Sequence, residues 1–258
     1  MGGSLARALA AHPSRPRRVG WSPVAVEREE ALETGALDDA TDRPEEAVDG
    51  ADLVVIAIPM EATCRLIPRL ADALEVDTVL TDVASLKVPV RDVVRSVGLE
   101  AAWVGSHPMC GSEASGFAAS RADLYEGAGV YLVSYAPADS PTVRITRFWR
   151  ALGAVPRLID ARDHDDLMAA VSHLPQVTAN LLGRVLEGAE VRADALGPAG
   201  REMTRLASSS PTIWKDILAH SPPELARHLR TLARCASDYA DLVEKRDVDA
   251  LAEWMEGT

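Results

Sequence analysis

Short apolar runs alternate with amphipathic stretches through the first part of the chain. Residues 53–58 (LVVIAI) form a continuous apolar run stopped by Pro59, the pattern of a strand buried on both faces of a parallel sheet. Residues 61–74 follow with apolar positions at helical spacing, and 78–83 (TVLTDV) return to the strand pattern. The same alternation predicts strands at 17–22, 102–105, 130–134 and 155–159, and helices at 24–34, 88–97 and 140–152. Gly35 is placed to close the 24–34 helix. Strands spaced by helices of this length predict βαβ units, hence an α/β doubly wound (Rossmann-like) sheet.

After about residue 160 the strand pattern stops. Residues 163–187 read as one long helix, with Leu167, Ala170, Val171, Leu174, Val177, Leu181, Leu182 and Val185 near helical spacing. Pro175 lies inside it and should kink or break it. Residues 197–200 read as a loop, and 201–207 and 212–219 as two short helices. Ser221, Pro222 and Glu224 have the spacing of a capping box with proline at the first helical position, opening a helical region that runs to about Met255. The expected division is an N-terminal α/β domain, 1–158, and an all-helical C-terminal domain, 159–258.

Composition narrows the function. The 258 residues carry 39 acidic and 27 basic side chains, a net charge of −12. That argues against a general nucleic-acid or anionic-membrane binder, which needs a basic footprint, though a local basic pocket for a small anion is compatible with it. The longest apolar stretch, 53–60, is far shorter than the ~20 residues of a membrane span. The opening MGGSLARAL has neither the basic start nor the apolar core of a signal peptide. Cys64, Cys110 and Cys235 share no metal-ligand spacing, so free thiols in a reducing cytoplasm are expected, and no metal.

Several segments could carry chemistry. Gly2-Gly3-Ser4 could open a helix whose free N–H groups bind phosphate, or be only a frayed start. TDVASLK closes a strand and opens a helix. Ser85 there would face a ligand beyond the strand's carboxyl end, unless Ser85 or Asp82 merely caps the helix. HPMCGSE follows the 102–105 strand. His107 is a candidate base near neutral pH, Gly111 allows close backbone approach, and Cys110 reads as packing. His173 sits in the long helix. Arg201 and Arg205, with the following serines and Trp214, make a polar, basic patch suited to a carboxylate. Each of these has an ordinary structural reading when taken alone.

Together they are far more specific. The segments GGSLARAL, ADLVVIAIP, TDVASLK, SHPMCGSEASG, AVSHLPQ and REMTRLASSSPTIWKDI occur in this order, and the chain resembles the prephenate/arogenate dehydrogenases of tyrosine biosynthesis over nearly its whole length. The resemblance implies a dinucleotide-binding domain and a helical domain that dimerises and completes the site. It also implies oxidative decarboxylation: hydride leaves C4 of a cyclohexadienol for nicotinamide, C1 loses CO2, and the ring becomes aromatic. By resemblance, His107 accepts the proton of the 4-hydroxyl and Ser85 hydrogen-bonds that hydroxyl or His107. Arg205 holds a substrate carboxylate, His173 lines the substrate pocket, Ser112 lies at its mouth, and Trp214 packs nearby. Gly2, Gly3, Ser4, Ser22, Ile58 and Pro59 would lie against the cofactor.

Two departures stand out. The family's glycine loop reads roughly GxGxxGGSLA after a hydrophobic strand, whereas this chain begins at Met1-Gly2-Gly3. The expectation is a true start roughly 10–15 residues upstream, and a gap between neighbouring strands without it. The second departure is Ser22, which stands where an acid usually binds the adenosine ribose, unless Arg28 or Arg43 serves a 2′-phosphate instead. The cofactor is thus NAD or NADP, with NAD favoured on family habit. Glu202 replaces the family's usual Asp, and the helical region runs to Thr258 with no regulatory domain after it. The expected activity is prephenate dehydrogenase, in a cytoplasmic homodimer acting on a small-molecule substrate. The alternatives are arogenate or 4-amino-4-deoxyprephenate dehydrogenase, or an inactive truncated relic.

Overall fold

The computed structural model describes residues 1–111, 116–136, 138–209 and 211–256. They form two compact units: Met1–Asp165 with Ser210–His220, and Asp166–Ser209 with Ser221–Thr258.

The first unit opens with α1 (Gly2–Ala11), then β1 (Val19–Trp21), α2 (Ala25–Glu33), β2 (Asp39–Thr41), α3 (Pro44–Ala47), β3 (Leu53–Ile56), α4 (Met60–Leu70), β4 (Val79–Asp82) and α5 (Val88–Ser96). It continues with β5 (Val104–Pro108), β6 (Gly129–Ser134), α6 (Ser140–Ala151) and β7 (Val155–Leu158). β1 pairs with β2 and β3 with β4, both in parallel, as two separate ladders. In the third ladder β6 is antiparallel to β5 and parallel to β7, and a parallel bridge from Leu80 to Trp103 links β4 to the start of β5.

The apolar run of β3 works on both faces, as its composition requires. Val54 and Ile56 enter a core with Ile67, Leu70, Leu80, Val90, Val94 and Trp103. Leu53 and Val55 pack on a second core built from Leu5, Val104, Val130, Leu132, Ile145 and Trp149.

The structure corrects the sequence reading in several places. β5 runs through His107 to Pro108 instead of ending at 105, because β6 supplies a partner for each residue, His107 facing Tyr131 and Pro108 facing Val130. The short β2 and α3 have too few apolar residues to show a period and were not expected. α4 ends at Leu70, four residues early, with Ala71–Leu74 turning back through bonds to the Leu70 carbonyl.

The chain then enters α7 (Ala161–Met168), a π-helical turn (Ala169–His173) and α8 (Leu174–Gly188). This is the expected long helix. Pro175 has no N–H and its ring crowds the preceding turn, and the widened π turn just before it absorbs the conflict. In the second unit α9 (Pro198–Thr204) starts inside the predicted loop, with Pro198 at the first helical position. A 3-10 turn (Arg205–Ser208) follows, and Gln176 Nε2 donates to Leu206 O at 2.6 Å, tying that turn to α8. α10 (Pro211–Ala219) returns to the first unit, where Trp214 and Ile217 join the core beside α4. α11 (Pro223–Lys245) and α12 (Val248–Glu256) complete the second unit, separated by Arg246 in the left-handed region at φ 55°.

α11 starts one residue later than expected, with Pro222 and not Ser221 at its cap position, and the Ser221 hydroxyl lies 3.0 Å from His173 Nδ1. No helix among the described residues is long and apolar enough to cross a membrane.

Candidate active site

Parallel pairing puts the carboxyl ends of β3 and β4 on one rim of the first unit, and the parallel bridge from Leu80 to Trp103 sends β5 the same way, so its carboxyl end lies on that rim too. In open α/β sheets this rim is where ligands bind. Ile58 and Pro59 follow β3, Ser85 follows β4, and His107 lies near the end of β5. The amino end of α1 is on the same rim: a Cβ on Gly2 would meet Ala57 Cβ at 3.2 Å, and Met1 Sδ is within 3.8 Å of where Gly111 would carry a Cβ.

Beneath the rim lies a buried polar network that the sequence reading missed. Lys87 and Asp82 are fully buried and paired, Nζ to Oδ1 at 2.5 Å. Lys87 Nζ also donates to the Ser106 carbonyl at 2.6 Å, and Trp103 Nε1 donates to Asp82 Oδ2 at 2.9 Å. Asp82 Oδ1 accepts the Ala84 N–H, while the Ser106 hydroxyl meets Thr81 Oγ1 and accepts from Trp149 Nε1, each at 2.8 Å. This fastens the β4–α5 loop, which carries Ser85, to β5, which carries His107. Asp82 and Ser85 do not cap α5. Its first N–H groups, from Lys87 and Val88, go to the Asp165 carboxylate at 2.8 and 2.9 Å.

His107 Nδ1 lies 2.9 Å from His164 Nε2. His164 thus takes one of the two ring nitrogens of His107, a partner outside the two expected options for Ser85. Ser85 stays half-exposed in its loop. His164 and Asp165 join the site without a local signal, because the run DARDHDD has the composition of a solvated, polar helix start. Burial pushes the Cys110 thiol up from its ordinary pKa, and Cys64 likewise, so both rest as thiols. No group of three or more metal-ligating side chains gathers among the described residues.

The residues expected against a cofactor divide in two. α1 has no side-chain cap, so its first-turn N–H groups are donors available to a pyrophosphate. Gly3, however, is glycine for packing. A Cβ there would lie 2.8 Å from the Phe117 ring and 3.1 Å from Ser120 Cβ. Ser4 is buried and its hydroxyl accepts the Arg121 N–H at 3.1 Å. At the end of β1, Ser22 Oγ donates to Glu27 Oε2 at 2.8 Å, and Arg28 Nη1 donates to the Ser22 carbonyl. An acid thus stands at this strand end after all, contributed from α2 and not from the strand. Arg43 is instead paired with Glu46 at 2.9 Å. The donors at α1 and the acceptor at Glu27 fit a dinucleotide.

In the second unit His173 is buried in the π turn beside Ser221. Arg205 is exposed, its Nε 3.6 Å from Glu202 Oε1. Ser112 lies outside the described residues.

Residues 5–158 match the nucleotide-binding domain of prephenate dehydrogenase, and residues 160–257 match its dimerization domain. The chain belongs to the prephenate dehydrogenase family. It is an NAD(P)-dependent dehydrogenase of that type. It is 30% identical to the prephenate dehydrogenase of Bacillus subtilis over 99% of this chain and 71% of that protein. It is also 30% identical to the cyclohexadienyl dehydrogenase of Zymomonas mobilis, over 88% of this chain and 79% of the relative. Among solved structures it resembles prephenate dehydrogenase from Aquifex aeolicus in complex with hydroxyphenyl propionate and NAD+. That match has a TM-score of 0.89 and 26% identity, over 100% of this chain and 92% of that one.

Proposed function

We propose that the chain converts prephenate to 4-hydroxyphenylpyruvate with NAD+, as a cytoplasmic homodimer divided near residue 158. The observation that carries this reading is His107, an imidazole on the same sheet rim as the uncapped start of α1 and bonded through Nδ1 to His164. In this reading His107 is the base that takes the proton of the 4-hydroxyl through Nε2, and Ser85 orients that hydroxyl. When bound, the nicotinamide accepts the hydride from C4. The electrons of the broken C1–carboxylate bond then complete the aromatic ring, so the protein's work is orientation and charge handling. Arg205, His173 and Trp214 are assigned to the substrate, Arg205 by a two-point grip on a carboxylate that Lys could not reproduce. Ser112 keeps its assignment at the pocket mouth. Gly2, Gly3 and Ser4 present backbone N–H groups to the pyrophosphate, with Ser22, Ile58 and Pro59 along the dinucleotide.

NAD is preferred over NADP in this reading because Glu27 offers an acceptor to the ribose diol and repels a 2′-phosphate. The decisive assay measures turnover with prephenate and arogenate, each with NAD+ and NADP+. The expected result is the highest kcat/KM with prephenate and NAD+. Preference for arogenate would reassign the substrate, and no turnover with either would end the reading. Glu27→Gln is expected to raise KM for NAD+ by about 10-fold, the worth of one charge-assisted hydrogen bond, and to narrow the preference over NADP+. An unchanged cofactor ratio would remove Glu27 from this role. The dimer is assigned to the helical unit, where Leu232, Cys235, Ala236, Tyr239, Trp254 and Met255 line an apolar groove between α11 and α12. Sedimentation of a monomer at micromolar concentration would contradict it.

A further inference from the structure

We propose that His164 and Asp165 are positioning residues for His107, forming a chain that fixes which imidazole nitrogen carries the proton. The inference rests on the reading of His107 as the base. His164 is fully buried, with Nδ1 2.7 Å from Asp165 Oδ1 and Nε2 2.9 Å from His107 Nδ1. Asp165 is itself held in place. Its two oxygens accept the backbone N–H groups of Lys87 and Val88 at the start of α5, so the carboxylate cannot swing away without orphaning both.

The proton positions follow in order. A carboxylate only accepts, so the proton between Asp165 and His164 is on His164 Nδ1. In the neutral ring, His164 Nε2 then carries a lone pair and can only accept. His107 must therefore donate from Nδ1, which leaves the lone pair of His107 on Nε2, the atom the reaction needs. The opposite arrangement requires a doubly protonated His164 and would put the His107 proton on Nε2, where it could not act as base. Ring contacts also restrict His164. It packs edge-on against His107 and Tyr131, with centroids 5.1 and 5.6 Å apart and planes at 68° and 74°.

The same chain acts during the reaction. When His107 Nε2 takes the hydroxyl proton, the new positive charge is one hydrogen bond from His164 and two from the Asp165 carboxylate. The carboxylate stabilises it without taking a proton, the division of labour seen in Ser-His-Asp triads. The arrangement also resembles the carboxylate that orients a metal-binding histidine from behind.

The test uses the full chain and two independent readouts. Nitrogen-15 imidazole spectra of the wild type should show His107 protonated on Nδ1 and bare on Nε2, and His164 protonated on Nδ1 alone. A His107 signal protonated on Nε2 overturns the proposal whatever the activity. In turnover with prephenate and NAD+, His164→Leu should lower kcat by about 10- to 100-fold, the usual cost of losing an outer-shell partner, with KM shifted far less. His164→Gln, whose Oε1 can accept the His107 Nδ1–H, should recover most of the loss. Asp165→Asn should fall between the two. Wild-type kcat in a folded His164→Leu, or no rescue by Gln, removes the positioning role. The base reading fails separately: near-normal turnover in His107→Asn would reject it, while the spectra would still report on the chain.

Discussion

His107→Asn should lower kcat by about 10²- to 10⁴-fold, the span usually lost with a general base, while KM for prephenate changes little. Asparagine fills similar space on β5, and its amide can still bond His164, so the pairing with β6 opposite Tyr131 should survive. What it lacks is a nitrogen that can take a proton. The 4-hydroxyl would then have to release its proton to water as hydride departs, which raises the barrier of the chemical step without touching the groups assigned to the carboxylates. Steady-state kinetics with a thermal melt as a folding control would measure this. Turnover within a few-fold of wild type would exclude His107 as the base.

The second large effect should appear in stability. Lys87→Met is expected to cost about 3–5 kcal/mol, because it leaves the Asp82 carboxylate buried without its cation. For a chain of this size that corresponds to a fall in Tm of roughly 10 °C. Asp82 would keep its bonds from Trp103 Nε1 and the Ala84 N–H, which hold it in place but carry no full charge. Adding Asp82→Asn to Lys87→Met should recover part of the loss, since the amide can still accept from Trp103 and needs no counter-charge. A melt of Lys87→Met within about 2 °C of wild type would show that the buried pair contributes little. The pair also bears on function, since Lys87 joins the Ser85 loop to the strand of His107. Partial loss of activity in the melted-down variant, below its own Tm, would follow from that displacement.

The residues differ in how far they could be read in advance. The run 53–58 was legible because a strand covered on both faces needs apolar side chains at every position, and such a run is short and stopped by proline. His107 was legible as a candidate only through the surrounding HPMCGSE. Its place inside β5, and not after it, depends on the hydrogen bonds that β6 supplies from more than twenty residues away. Ser221 shows the reverse case. Its local spacing predicts the cap of α11, yet the helix starts one residue later, and a buried histidine 48 positions earlier comes within 3.0 Å of the hydroxyl. Glu27 has no local signal, because the acid is expected on the strand itself, whereas this carboxylate reaches the strand end from the next helix.

The sequence by itself determined the order of strands and helices apart from the short β2 and α3, the change from α/β to all-helical texture near residue 160, and the motifs that carry the family resemblance. These are written in periodicity and turn chemistry over windows of a few residues, and burial of the apolar positions enforces them. Only the tertiary structure decided which polar groups meet: His164 on His107 across 57 residues, and Asp165 on the start of α5 across 78. Once buried, a donor or acceptor must find a partner wherever the fold brings one, and no local pattern records that choice.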